Sequence, residues 1–344
     1  MKQLPVLNNR LHLLVAALWL AVMPTANCFA EVIEHIDSLA DGRSGKFSYP
    51  TLNRKTTLPD LQAGRIFMNE TVTAVLNLPS KGQPPYPVMV IAHSSAGVTR
   101  KDHDWTEWFN QMGIATLLVD TFTPRGIAHT ASDQSQMTYG ASAGEYLVAL
   151  KLLATHPKLD MKRVGIIGFS RGTAGATASA IESVRRGVVG SDLKYAIHFP
   201  VYGGCGYRAD RWTGAPIHMF VGTEDSWEDM DVCQEWKNST KAAGVDADLT
   251  LFNGVHHGYD NPASAALRNF PNAENWKPCK SEWNVDRRQI RTASYRSWHS
   301  DATFVAESAQ CKTRGATTKY DEAATNQTKQ IIEGKLAALG FVTR

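Results

Sequence analysis

An α/β fold, with a mostly parallel sheet covered by helices on both faces, is what the 344-residue sequence predicts, and three observations carry it. Continuous apolar runs recur at 88–92, 114–119, 164–168 and 218–221, each the length of a strand buried on both faces. Helical stretches lie between and after them, at 104–112, 141–155, 173–186 and 228–243, so strand and helix alternate as in a parallel sheet. The third run leads straight into Gly168-Phe169-Ser170-Arg171-Gly172 and an Ala-rich stretch, a strand–turn–helix order that sets a serine on a sharp, exposed turn.

From the N-terminus, 1–10 carries Lys2 and Arg10, 11–23 is apolar, and 24–30 supplies a breaker and small residues. This is the pattern of a signal peptide over 1–30, and the apolar run is shorter than the ~20 residues that span a bilayer. Export, periplasmic or secreted, with no stable membrane anchor after cleavage, is the expectation. Residues 31–344 then read as a single domain. Its lead-in, 31–63, is rich in Gly, Ser, Pro and charge and is expected to be loosely structured; 66–78 alternates as strand and 248–252 is a further short strand. Segment 261–317, rich in Trp, Arg, Asn and Ser without periodicity, reads as an insertion, and 318–339 as a closing amphipathic helix. Trp276, Trp283 and Trp298 could give the insertion a small core or a face over a site; a surface excrescence is the alternative. Nucleic-acid binding gets no support, because 36 basic residues are nearly balanced by 33 acidic ones and no Lys/Arg run is present.

Loss of the leader removes Cys28 and leaves Cys205, Cys233, Cys279 and Cys311. Four cysteines in an oxidising compartment predict two disulfides, with Cys205–Cys233 and Cys279–Cys311 favoured because each pair lies within one segment. No CxxC or HxxxH spacing supports zinc, and no metal or other cofactor is expected.

A serine hydroxyl needs a base to take its proton and a carboxylate to orient that base. In chain order after Ser170, the run 216–221 ends in Gly222-Thr223-Glu224-Asp225, at the carboxyl end of a strand where ligands meet such sheets. Asp225 is the expected acid, with Glu224 its nearest rival, whereas Glu228, Asp229 and Asp231 are expected at a solvated helix start. The next turn, Gly254-Val255-His256-His257-Gly258-Tyr259, supplies the base: His257, with His256 as competitor. Backbone N–H groups of Arg171, just after the serine, and of Ser95, in the loop His93-Ser94-Ser95-Ala96-Gly97, would meet an oxyanion. Arg125 could bind a substrate carboxylate, a structural ion pair being the alternative. Phe122, Tyr202, Trp227 and Tyr259 could wall a pocket, or equally be core.

Together the HSSAG loop, 120–126 (DTFTPRG), GFSRG, GTED and GVHHGY resemble the dienelactone hydrolase family of α/β-hydrolases, over roughly 60 to 260 and the last helix. Members proper use a cysteine nucleophile where this chain has Ser170, and Ser94 replaces an acidic residue of their oxyanion loop. The resemblance implies an α/β-hydrolase fold and a serine ester hydrolase acting on a small-molecule ester, with the triad roles falling on Ser170, Asp225 and His257. A peptidase or thioesterase on the same machinery, or a non-catalytic binding protein, are the alternatives.

Overall fold

The computed structural model describes Met1 and residues 33–294, 297–300 and 309–342. The expected signal peptide therefore lies, Met1 apart, outside the described residues. Residues from Ile33 onward form one unit. Its strands are β1 (Gly45–Thr51), β2 (Glu70–Asn77), β3 (Tyr86–Ala92), β4 (Ala115–Asp120), β5 (Leu159–Phe169), β6 (Ile197–Val201), the two-residue β7 (Tyr207–Arg208), β8 (Ile217–Gly222) and β9 (Ala247–Phe252). All but β7 join one eight-stranded sheet in the order β1-β2-β4-β3-β5-β6-β8-β9. From β4 to β9 neighbouring strands run parallel; β1 and β2 extend the edge antiparallel.

Helices are α1 (Leu58–Gln62), α2 (Arg100–Gln111), α3 (Tyr139–Leu153), α4 (Thr173–Ala178), α5 (Glu182–Val189), α6 (Met230–Ala242) and α7 (Glu322–Ala338). Alternation along β3 sorts them. Val88, Val90 and Ala92 share a core with α1, α3, α4 and α5, while Met89 and Ile91 pack with Trp105 and Phe109 of α2 and Ile332 and Leu336 of α7. A strand covered on both faces must be apolar on both, which is why these runs show no polar alternation. On β8, Ile217, Met219 and Val221 meet Val232, Cys233 and Trp236 of α6, and Phe220 points to the opposite core.

The structure departs from the sequence expectations in four elements. The lead-in 31–63 holds β1 and α1, α1 being capped by Thr57 and Asp60. The helix expected over 173–186 is two helices, because backbone at 180–182 pairs with 211–213 instead: Thr213 N–H donates to Ala180 O and Glu182 N–H to Arg211 O. Strand β6, Ile-His-Phe-Pro-Val, was hidden by its histidine and proline; His198 is buried with Nδ1 2.8 Å from Ala176 O. The last helix begins at Glu322, since Thr318 ends a strand.

The described residues of segment 261–317 form a folded arm. Strand β10 (Arg268–Asn275) pairs antiparallel with β14 (Thr313–Thr318), and β11 (Glu282–Asn284), β12 (Gln289–Arg291) and β13 (His299–Ser300) extend a second small sheet from β7. Disulfides join Cys205 to Cys233, beneath α6, and Cys279 to Cys311, across the arm.

Candidate active site

Ser170 follows β5 at φ 51°, a left-handed conformation costly for a side chain with a Cβ and found where a sharp turn must present a group. Tight packing forces the turn. A Cβ on Gly172 would lie 2.2 Å from Ala92 O, so only glycine lets the following helix approach β3. His257 Nε2 is 2.9 Å from Ser170 Oγ, and His257 Nδ1 is 2.8 Å from Asp225 Oδ2. These distances bring together the three side chains expected from the sequence.

The loops that carry Asp225 and His257 converge through a close backbone contact. A Cβ on Gly222, at the end of β8, would stand 2.0 Å from Val255 O, so the strand end and the histidine turn touch backbone to backbone. Glu224 N–H donates to Val255 O and continues that contact. Asp225 is fully buried, and its second oxygen accepts N–H bonds from Trp227 (2.7 Å) and Glu228 (3.0 Å). A carboxylate so held stays aimed at the imidazole. The rivals are elsewhere: Glu224 is exposed, and the half-buried His256 has no partner for Nδ1 among the described residues.

A cavity of about 1380 Å³ opens over Ser170 and His257, and Ser95 and Arg171 line it beside them. Tyr202 and Trp227 are walls of this cavity; their rings lie 4.7 and 4.4 Å from that of His257. Trp227 Nε1 donates to Glu274 O on β10, fixing its indole to the arm. The arm supplies further wall through Phe270, Trp276, Trp283 and Lys312, while Trp298 lies under Arg291.

Three of the expected substrate contacts are not at the cavity. Arg125 is buried among Glu70, Glu145, Leu52 O and Thr121 O, so its guanidinium is consumed by structural partners. Phe122 packs edge-on against His93 in a small core with Ile127 and Met137. Tyr259 is fully buried beneath Tyr202, its hydroxyl 2.9 Å from Thr328 Oγ1. Strand-end position alone cannot say which face of a loop a side chain takes.

Glu228 also departs from expectation. It lines the cavity instead of a solvated helix start, and burial together with the charge of Asp225 pushes its carboxyl up to about 7. Asp229 instead caps α6, accepting from the N–H of Asp231 and Val232. Cys205, Cys233 and Glu228 cluster beside it, but both sulfurs are spent in the disulfide, leaving no thiolate for a metal. Gln134, Lys277 and Glu274 are site-adjacent residues that sequence spacing did not indicate. Lys277 Nζ donates to Asp225 O, and Gln134 touches both Ser95 and Arg171. They lie on loops and on the arm, where no periodicity marks them.

A mostly parallel sheet covered by helices, with Ser170 on the turn after β5 and Asp225 and His257 on the turns after β8 and β9, has the architecture of an α/β-hydrolase. The model of the dienelactone hydrolase family matches residues 72–285, more than half of the chain, and the protein belongs to that family of ester-hydrolysing enzymes. Among solved structures, esterase 2 of Thermogutta terrifontis, in a form phosphonylated by cyclosarin, aligns with TM-score 0.50 at 11% identity, covering 79% of this chain and 91% of its own. A candidate dienelactone hydrolase from Klebsiella pneumoniae aligns with TM-score 0.50 at 14% identity, covering 85% and 99%. At such identities the likeness is one of fold. No curated protein matches the sequence.

Proposed function

We propose that the protein is an exported serine carboxylesterase that works through an acyl-enzyme. The observation that carries this is the continuous hydrogen-bonded chain from Ser170 Oγ through His257 to the buried Asp225, opening on one cavity. Ser170 attacks the ester carbonyl while His257 takes its proton, and the imidazolium formed is stabilised by Asp225. Developing negative charge on the carbonyl oxygen is met by the backbone N–H groups of Ser95 and Arg171. The alcohol leaves with the proton from His257. Water, activated by the same imidazole, then releases the acid, and no step calls for a cofactor.

Tyr202 and Trp227 would wall the substrate pocket, with residues 31–344 as one hydrolase domain and 261–317 as its stapled insertion. Two disulfides suit an oxidising compartment, and among the described residues no helix is long and apolar enough to cross a membrane. The disulfides support export.

A fluorophosphonate probe tests the reading, with stoichiometric modification expected at Ser170 and none in Ser170→Ala. Hydrolysis of p-nitrophenyl esters of increasing chain length should fall by a factor on the order of 10⁵ or more in that variant. Labelling at Ser170 with inactivity on every ester and cleavage of amides or thioesters would redirect the substrate class; a folded protein that takes no label would end the serine-hydrolase reading.

A further inference from the structure

Two residues whose amides would bind the oxyanion, Ser95 and Arg171, come from different loops, one after β3 and one after β5, and must be held in mutual register. Gln134, in the long connection between β4 and α3, touches both. Its Nε2 donates to Ser95 Oγ at 3.1 Å, and its Oε1 accepts from Arg171 Nη1. The clasp is reinforced on each side. Thr130 N–H donates to Ser95 O at 2.9 Å, and Arg171 Nη2 donates to Met137 O of the same connection.

The clasp is also tied to the arm. Gln134 N–H donates to Glu274 Oε2 at 3.1 Å, Lys312 Nζ donates to the other oxygen of Glu274 at 2.8 Å, and Glu274 N–H donates to Ala131 O at 2.8 Å. Arg171 is almost fully buried, with no partner for Nε among the described residues and the guanidinium over the Tyr139 ring at 4.6 Å. Among the described residues it has no carboxylate partner, so Gln134 and Met137 are the acceptors that fix it. A buried guanidinium with so few acceptors depends heavily on each of them.

We propose that Gln134 is a positioning residue for the oxyanion hole: its side-chain amide bridges Ser95 and Arg171 and sets the spacing of their backbone N–H groups, with Glu274 of the arm holding the bridge. This rests on the serine-hydrolase reading above. Register matters because donors must sit where the oxyanion will develop; a misplacement of about 1 Å can cost on the order of a hundredfold. Loss of the bridge acts on the transition state more than on ground-state binding, so it falls on kcat and leaves KM nearly unchanged.

Gln134→Met, which keeps length and removes the hydrogen bonds to Ser95 and Arg171 together with the one Gln134 Oε1 accepts from Thr130 Oγ1, is measured as kcat per fluorophosphonate-titrated site on a short p-nitrophenyl ester. The expected result is a fall of at least about tenfold with KM within about twofold of wild type. Ser95→Ala, which keeps the amide and cuts one limb, should lose less, and Ser95→Ala with Gln134→Met should be no worse than Gln134→Met alone. An unchanged kcat per titrated site in Gln134→Met, or strictly multiplicative losses in the double variant, overturns the proposal. Should Gln134→Met not fold, an unchanged kcat in Ser95→Ala is by itself sufficient to overturn it. Failure here with normal labelling of wild-type Ser170 leaves the serine-hydrolase reading standing; absence of wild-type labelling ends both.

Discussion

The rim of the large sheet and the arm 261–317 are built on opposite principles. At the rim, Ser170 and Asp225 follow parallel strands whose ends are buried on both faces, β5 and β8, and His257 follows the half-buried edge strand β9 beside them, so packing of the sheet sets where each loop begins. The arm has strands of two to eight residues and few buried apolar side chains. What holds it is pairwise: the Cys279–Cys311 disulfide, Lys312 and Gln134 on Glu274, Asn275 Nδ2 on Ser226 O, and Lys277 on Asp225 O. Nonlocal packing makes the rim robust and its chemistry sharp, whereas the arm is held by short strand ladders and separate polar links, each removable by itself. Substitution should therefore separate chemistry at the rim from stability and binding at the arm.

The largest effect should come at the rim. Asp225→Asn keeps the shape but loses the charge that orients His257, and kcat on a p-nitrophenyl ester should fall on the order of 10⁴-fold with the melting temperature little altered. A loss of only severalfold would mean that Asp225 is a structural partner of the imidazole. Below the rim, Arg125→Met strips buried Glu145 of its cation and should cost about 3 to 5 kcal/mol in denaturant unfolding, with KM unchanged. A raised KM without loss of stability would return Arg125 to substrate binding.

On the arm, replacing Cys279 and Cys311 together by serine opens a link 32 residues apart in sequence and should cost about 3 to 4 kcal/mol. KM for long esters should rise while kcat on a short ester holds. A kcat loss equal on all esters would instead join the arm directly to the chemistry. The smallest effect is one of pH. Burial holds the Glu145 carboxyl at about 7, against 4.5 in an open chain. The fold thus binds this proton more tightly than the unfolded chain, so the contribution is full below 4.5 and is lost as pH rises toward 7. Melting temperature followed across that window should decline less in Glu145→Gln than in wild type; parallel curves would show that the group is ionised throughout.

Legibility in the sequence followed the same division. Apolar runs, the GFSRG turn and polar residues on later strand ends were enough to point to Ser170, Asp225 and His257, whose side chains lie within hydrogen-bond distance in the order Ser170, His257, Asp225, because the strand–helix succession of a parallel sheet is local in sequence and its loops emerge at one edge. Arg125, Phe122 and Tyr259 also stand near strand ends, yet their side chains turn into the core, a choice made by partners such as Glu145, His93 and Thr328 that lie tens of residues away. Helix-start chemistry places Glu228 in solvent, and only the tertiary structure sets it half-buried in the cavity wall beside Cys205 and Cys233.

By itself, then, the sequence determined the α/β class, the order of the strands' buried runs and the three polar residues of the hydrogen-bonded chain, since each is written in short-range pattern or chain order, while of three possible disulfide pairings it only favoured the one the structure shows. Tertiary structure alone decided that Gly222 brings the acid loop against Val255, that Gln134 spans two loops, and that a polar arm walls the cavity. Those contacts join residues that share no periodicity, and their hydrogen bonds become specific only when burial removes water as the competing partner.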